Sequence, residues 1–130
     1  MKLEPRDSFF EEGNQIFKDL KGKVLSQFVC YETSSNKFLY VVFTIESSSI
    51  KYRIFLDAGL AFWDESEDFE NEDDTIMNEI VSLEKKIINE IYWMPDENNS
   101  KIVIQLNECE IIIRCKDSKV FDSEVDLIIE

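Results

Sequence analysis

The chain contains no histidine. That removes the usual general base near neutral pH and the commonest metal ligand, so Ser/His/Asp and Cys/His triads and zinc sites built on histidine are excluded. Basic residues are scarce as well: 14 Lys and Arg stand against 28 Asp and Glu, a formal net charge of -14. A field of that sign repels phosphate backbones and anionic lipid surfaces, which argues against binding to nucleic acid or membrane. With only three glycines and two prolines, the chain has no Gly-rich phosphate loop, Walker motif or GxSxG elbow. No apolar run reaches the roughly 18 residues of a membrane-spanning helix. Met1 is followed by Lys2, Leu3, Glu4 and Pro5 rather than by a basic region and an apolar stretch, so no signal peptide is expected. The three cysteines, Cys30, Cys109 and Cys115, form no CxxC pair. Cys109 and Cys115 are expected in one strand, roughly 20 Å apart, too far to bridge. Reduced thiols in a cytoplasmic protein are the expectation.

What the chain does have is apolar residues, 44% of its 130 positions with 12% aromatic. That is enough for one core, and residues 1–130 are expected to form a single domain. Ser8 to Lys21 is predicted as a helix: Ser8 and Glu11 have capping-box spacing, and Gly22 stands where a C-terminal cap belongs. Phe9, Gly13, Ile16, Phe17 and Leu20 fall on one helical face. Strands are predicted over Lys23 to Glu32, Phe38 to Glu46 and Ile50 to Asp57, joined by short polar links as an antiparallel meander. Ala58 to Trp63 is a short apolar segment leading into an acidic loop. A second helix is predicted from Asp74 or Thr75 to about Tyr92, with Ile76, Ile80, Leu83, Ile87 and Ile91 as its main stripe and Trp93 as a core lid at its end. Lys101 to Leu106, Glu110 to Cys115 and Glu124 to Ile129 read as three more strands, the first two a hairpin around Asn107-Glu108. The predicted fold is therefore α+β, two helices packed on antiparallel sheet, in the order α-β-β-β-(acidic loop)-α-β-β-β. Each half is one helix plus one meander, without a residue-level repeat.

Charge is not spread evenly. Residues 1–63 carry eight acids and eight bases, whereas residues 64–130 carry 20 acids and six bases, so the whole excess lies in the second half. Its focus is the run from Asp64 to Asp74, eight acids in eleven residues with no base among them. One reading is a solvated loop that aids solubility. The other is a docking surface for a cationic partner, where the field speeds encounter and selects charge. An EF-hand does not fit: counted from Asp64, position 6 is Phe69 instead of Gly and position 12 is Thr75 instead of Glu. Metal and cofactor sites are therefore not expected. Glu84-Lys85-Lys86 has the ExK form used by metal-dependent nucleases, but it falls on the exposed face of the predicted second helix. Acid pairs such as Glu108 and Glu110 arise by chance among 28 acids. No catalytic residue is assigned, and the protein is not expected to be an enzyme.

The stretch Ile54-Phe55-Leu56-Asp57-Ala58-Gly59-Leu60-Ala61-Phe62-Trp63-Asp64-Glu65 carries a strand into an aromatic-acidic corner. With its small size, acidity and single charged surface, the chain resembles the immunity proteins of bacterial polymorphic toxin systems, those of contact-dependent growth inhibition in particular. The resemblance implies tight binding to one cognate basic toxin, often a nuclease, as a heterodimer in which the toxin's active or substrate-binding surface is blocked. Physical reasoning points the same way, because a nuclease presents Lys and Arg to phosphates and an acidic surface can occupy that face. The expected contact residues are Trp63, Asp64, Glu65, Glu67, Asp68, Phe69, Glu70, Glu72, Asp73 and Asp74. A different mode, strand addition at a sheet edge such as the last strand, would survive high salt. The alternative function is an intracellular adaptor or structural subunit whose acidic loop only aids solubility.

Overall fold

The computed structural model describes residues 15–35, 37–57, 60–69, 75–94, 101–115 and 125–130. These form nine strands: β1 (Leu25–Thr33), β2 (Phe38–Ile45), β3 (Lys51–Asp57), β4 (Leu60–Ser66), β5 (Thr75–Glu79), β6 (Ile88–Met94), β7 (Lys101–Leu106), β8 (Glu110–Cys115) and β9 (Val125–Ile129). One sheet has the order β4-β3-β2-β1-β5 and the other β6-β7-β8-β9. All pairings are antiparallel. Strands hold 67% of the described residues, and no helix among them reaches seven residues. The predicted α+β fold with two helices is therefore overturned in favour of a two-sheet β structure. No described helix is long and apolar enough to cross a membrane.

The second predicted helix is instead β5, a single 3-10 turn at Val81–Leu83, and β6. Its apolar stripe is split: Leu83 and Ile91 are buried, whereas Ile76 and Ile87 are exposed. Lys85 has a left-handed backbone, φ 72°, which no continuous right-handed helix accommodates. β-branched Thr75, Ile76, Ile80, Val81, Ile87, Ile88 and Ile91 favour the extended chain that forms. Glu84-Lys85-Lys86 lies at this break, where Lys85 Nζ meets Glu46 Oε1 at 2.6 Å and Lys86 Nζ meets Glu108 Oε2 at 2.7 Å. Of the first predicted helix, residues 8–14 lie outside the described residues. From Gln15 onward the chain pairs once with Tyr92, makes one 3-10 turn at Lys18–Leu20, and holds Phe17 at φ 51°. That left-handed turn costs about 1–2 kcal/mol. It places the Phe17 ring edge-on to Phe43 at 6.2 Å and Tyr52 at 5.1 Å.

The strands predicted from alternation and β-branching are present, and so is the hairpin around Asn107-Glu108. Gln105 stands opposite Glu110, and the Leu106 N–H donates to the Cys109 carbonyl at 2.9 Å. Cys109 precedes β8 and Cys115 ends it, so the strand separates them. Cys30 and Cys109 are free thiols. Burial, with Glu32 adding to it, pushes the Cys30 thiol up to about 11, so it stays protonated and unreactive at neutral pH.

The two sheets share one core. Phe28, Val41, Phe43 and Ile54 from the first sheet and Ile102, Ile104, Ile111 and Ile113 from the second are each at most 1% exposed and belong to one cluster. β3 lies against β8, and β2 against β9. Residues 15–24 close the free edge of β6: Ile16 N–H donates to the Ile91 carbonyl at 3.0 Å, Gly22 N–H to Ile88 at 2.7 Å, and Ile88 N–H to Lys23 at 2.8 Å. Gly22 sits in this strap at φ 84° with open space where a Cβ would stand. Gly22→Ala is thus expected to cost about 1 kcal/mol from backbone conformation alone. Urea denaturation measures it; a neutral result would mean that the strap changes its turn at little cost.

Candidate functional site

The acidic run does not begin as a loop. β4 pairs with β3 over its whole length, from Leu60 opposite Asp57 to Ser66 opposite Lys51, so Trp63, Asp64 and Glu65 belong to a strand at the edge of the five-stranded sheet. Alternation along that strand sorts its side chains. Phe62 and Asp64 stand on the outer face beside Phe55 and Arg53, while Ala61 and Trp63 stand on the core side beside Leu56 and Ile54. The rings of Phe55 and Phe62 stack at 5.1 Å, and the Trp63 ring lies 5.6 Å from that of Trp93 on β6. Trp93 packs against the core edge, on a strand rather than at a helix end.

Arg53 organises the outer face. Its guanidinium grips Asp64 with two nitrogens, Nε to Oδ1 at 2.9 Å and Nη2 to Oδ2. The same group lies 4.4 Å from the centre of the Phe69 ring, 5.3 Å from Tyr40 and 5.6 Å from Phe55. Hydrogen bonding to Asp64 raises the Arg53 pKa further, against the opposing effect of burial. Phe69 also packs on an outer-face cluster of Val29, Tyr31 and Val42. Just before it, Ser66 Oγ donates to the Asp68 carbonyl at 2.8 Å and accepts the Asp68 N–H at 3.1 Å. The run is thereby tied to the sheet at Asp64 and again at Phe69. A double-mutant cycle of Arg53→Met and Asp64→Asn is expected to give a coupling of about 1 kcal/mol, the upper end for ion pairs that retain solvent contact. Additive losses in urea denaturation would show that the pair contributes nothing.

The expected contact residues divide accordingly. The charge of Asp64 is neutralised by Arg53. Glu65, Glu67 and Asp68 are exposed and have no ion-pair partner among the described residues. Glu65 lies opposite Tyr52, whose phenol is pushed above its ordinary value by burial and then by Glu65 and Asp19. Phe69 is half-buried, Trp63 half-exposed, and Glu70, Glu72, Asp73 and Asp74 lie outside the described residues. The sequence reading missed Arg53, Tyr40 and Phe55, whereas Leu60 and Phe62 are visible in it as apolar neighbours of the acidic run, left off the contact residues. The signal available in the sequence was the pair of apolar runs that end at Asp57 and resume at Leu60, and the pairing of β3 with β4 brings Arg53 opposite Asp64.

Elsewhere, an open depression of about 570 Å³ is lined by Asn89, Gln105, Leu106, Glu108, Cys109, Glu110 and Glu130. Glu108 is held there by Lys86, which lowers its carboxyl pKa. Among the described residues no group of three or more Cys, Asp or Glu is placed to hold a metal ion. Compared with known protein families, characterised proteins and solved structures, the chain matches none.

Proposed function

We propose that this protein is a non-catalytic acidic binding protein of the cytoplasm that neutralises a cognate basic toxin by covering its active or substrate-binding surface. A nuclease is the toxin class whose surface charge fits best. The observation that carries the reading is the combination at the end of β4. Exposed Trp63 shares a face of β4 with Glu65, exposed Phe62 stands on the other face, and Glu65, Glu67 and Asp68 have no ion-pair partner among the described residues. An aromatic anchor inside a charged rim is the usual anatomy of a specific interface. Acids left uncompensated project their field outward and accelerate encounter with a cationic surface. In the adaptor reading the acids serve solubility alone, and nothing then requires exposed aromatic rings beside them.

Capture of the tagged protein from its own cells at low and high salt, followed by assay of the captured partner, tests this. The expected result is one stoichiometric basic protein, released by salt, whose activity is abolished by an equivalent of this protein. A partner whose activity is unchanged by binding would overturn the inhibitor role and favour the adaptor.

A further inference from the structure

Among the described residues β4 is the outermost strand of its sheet, paired with β3 on one side only. Proteins blunt such edges with short strands, proline or bulges, because unpaired N–H and C=O groups recruit other chains. β4 uses none of these devices: it has seven residues, no proline, and an unbroken register with β3. Its side chains are also apolar at the surface, with Leu60, Phe62 and Trp63 exposed by 58%, 40% and 37%. The protection it does have is charge of one sign, Glu65 on the strand and Glu67 and Asp68 just beyond it. Such protection is selective. A second copy brings the same acids and the same net charge of -14 and is repelled, whereas a strand bearing Lys or Arg is attracted.

From this we infer that the free edge of β4 takes up an extended, Lys- or Arg-bearing segment of the protein partner as a sixth strand of the sheet. Backbone groups of alternate β4 residues, which point away from β3, form the ladder. Apolar side chains of the incoming strand lie beside Phe62 on the outer face, and basic ones beside Trp63 and Glu65 on the opposite face. The other edges fit less well. β6 is closed by residues 15–24, while β5 and β9 are five residues long, each with a single acid within the strand, Glu79 and Asp126, and no aromatic residue. The inference rests on the proposed binding role and adds a backbone component to that interface.

The test uses the full chain, isotope-labelled, with a blocked peptide as long as β4 that alternates Lys and Val. Its partner probe is the same peptide N-methylated at alternate residues, which keeps the charge and removes the ladder. At low salt the unmethylated peptide is expected to bind about tenfold more tightly, and to slow exchange at alternate β4 amides. Equal binding of the two peptides, or unchanged β4 amides, would overturn strand addition and leave charge-driven docking standing. Binding of neither peptide also overturns it, while the inhibitor role is judged separately by the capture experiment.

Discussion

Replacing Phe43 by alanine is expected to lower the unfolding free energy by about 3–5 kcal/mol. Phe43 is at most 1% exposed and sits at the centre of an aromatic group. Its ring stacks on Phe28 at 6.0 Å and on Tyr52 at 5.5 Å, and Phe17 meets it edge-on. The strands carrying these rings are fixed by pairing on both sides of β2, so the space vacated cannot close by collapse of a flexible segment. Domains of this size are stable by about 5–15 kcal/mol in total, so this one substitution brings the protein close to marginal stability. Urea denaturation followed by tryptophan fluorescence measures the loss. Phe62→Ala on the exposed edge is the comparison, with an expected cost below about 1 kcal/mol. A similar small loss at Phe43 would mean that the shared core is not organised around this ring.

Charge reversal of the acidic run has the largest expected effect on binding. Converting Glu65, Glu67, Asp68 and Glu70 together to Lys is expected to slow association with the basic partner by about 10- to 1,000-fold and to flatten its dependence on salt. Asp64→Asn is the informative control. Its charge is already taken by Arg53, so it is expected to lower stability while changing the association rate by less than about threefold. Stopped-flow association with the captured partner at low and physiological salt measures both. An unchanged rate in the fourfold variant would remove the run from the interface, and a large effect of Asp64→Asn would mean that its carboxylate is contacted directly.

Much of the β structure was legible along the chain. β1 to β3 and β7 to β9 announce themselves through alternation and through β-branched and aromatic residues such as Val41, Val42, Ile54, Ile104 and Ile112. The spacing of Ile76, Ile80, Leu83, Ile87 and Ile91 was misleading, because two short strands about a turn repeat apolar residues at intervals of three and four just as a helix does. Their β-branched composition was the better guide. Phe17 could not be read as left-handed, since its backbone strain is offset by ring contacts with Phe43 and Tyr52, which come from other strands. The acidic corner was visible as charge but not as geometry. Its organising residue, Arg53, lies eleven positions from Asp64 and meets it only through the β3–β4 pairing.

The sequence by itself determined the sign and place of the charge, the lack of histidine chemistry, and a core large enough for one domain, because these depend on composition and are indifferent to fold. Only the tertiary structure decided which acids are neutralised, which are left facing solvent, and that Trp63 and Glu65 stand on an open sheet edge. Those outcomes depend on strand register, and register is settled by contacts between residues far apart in the chain.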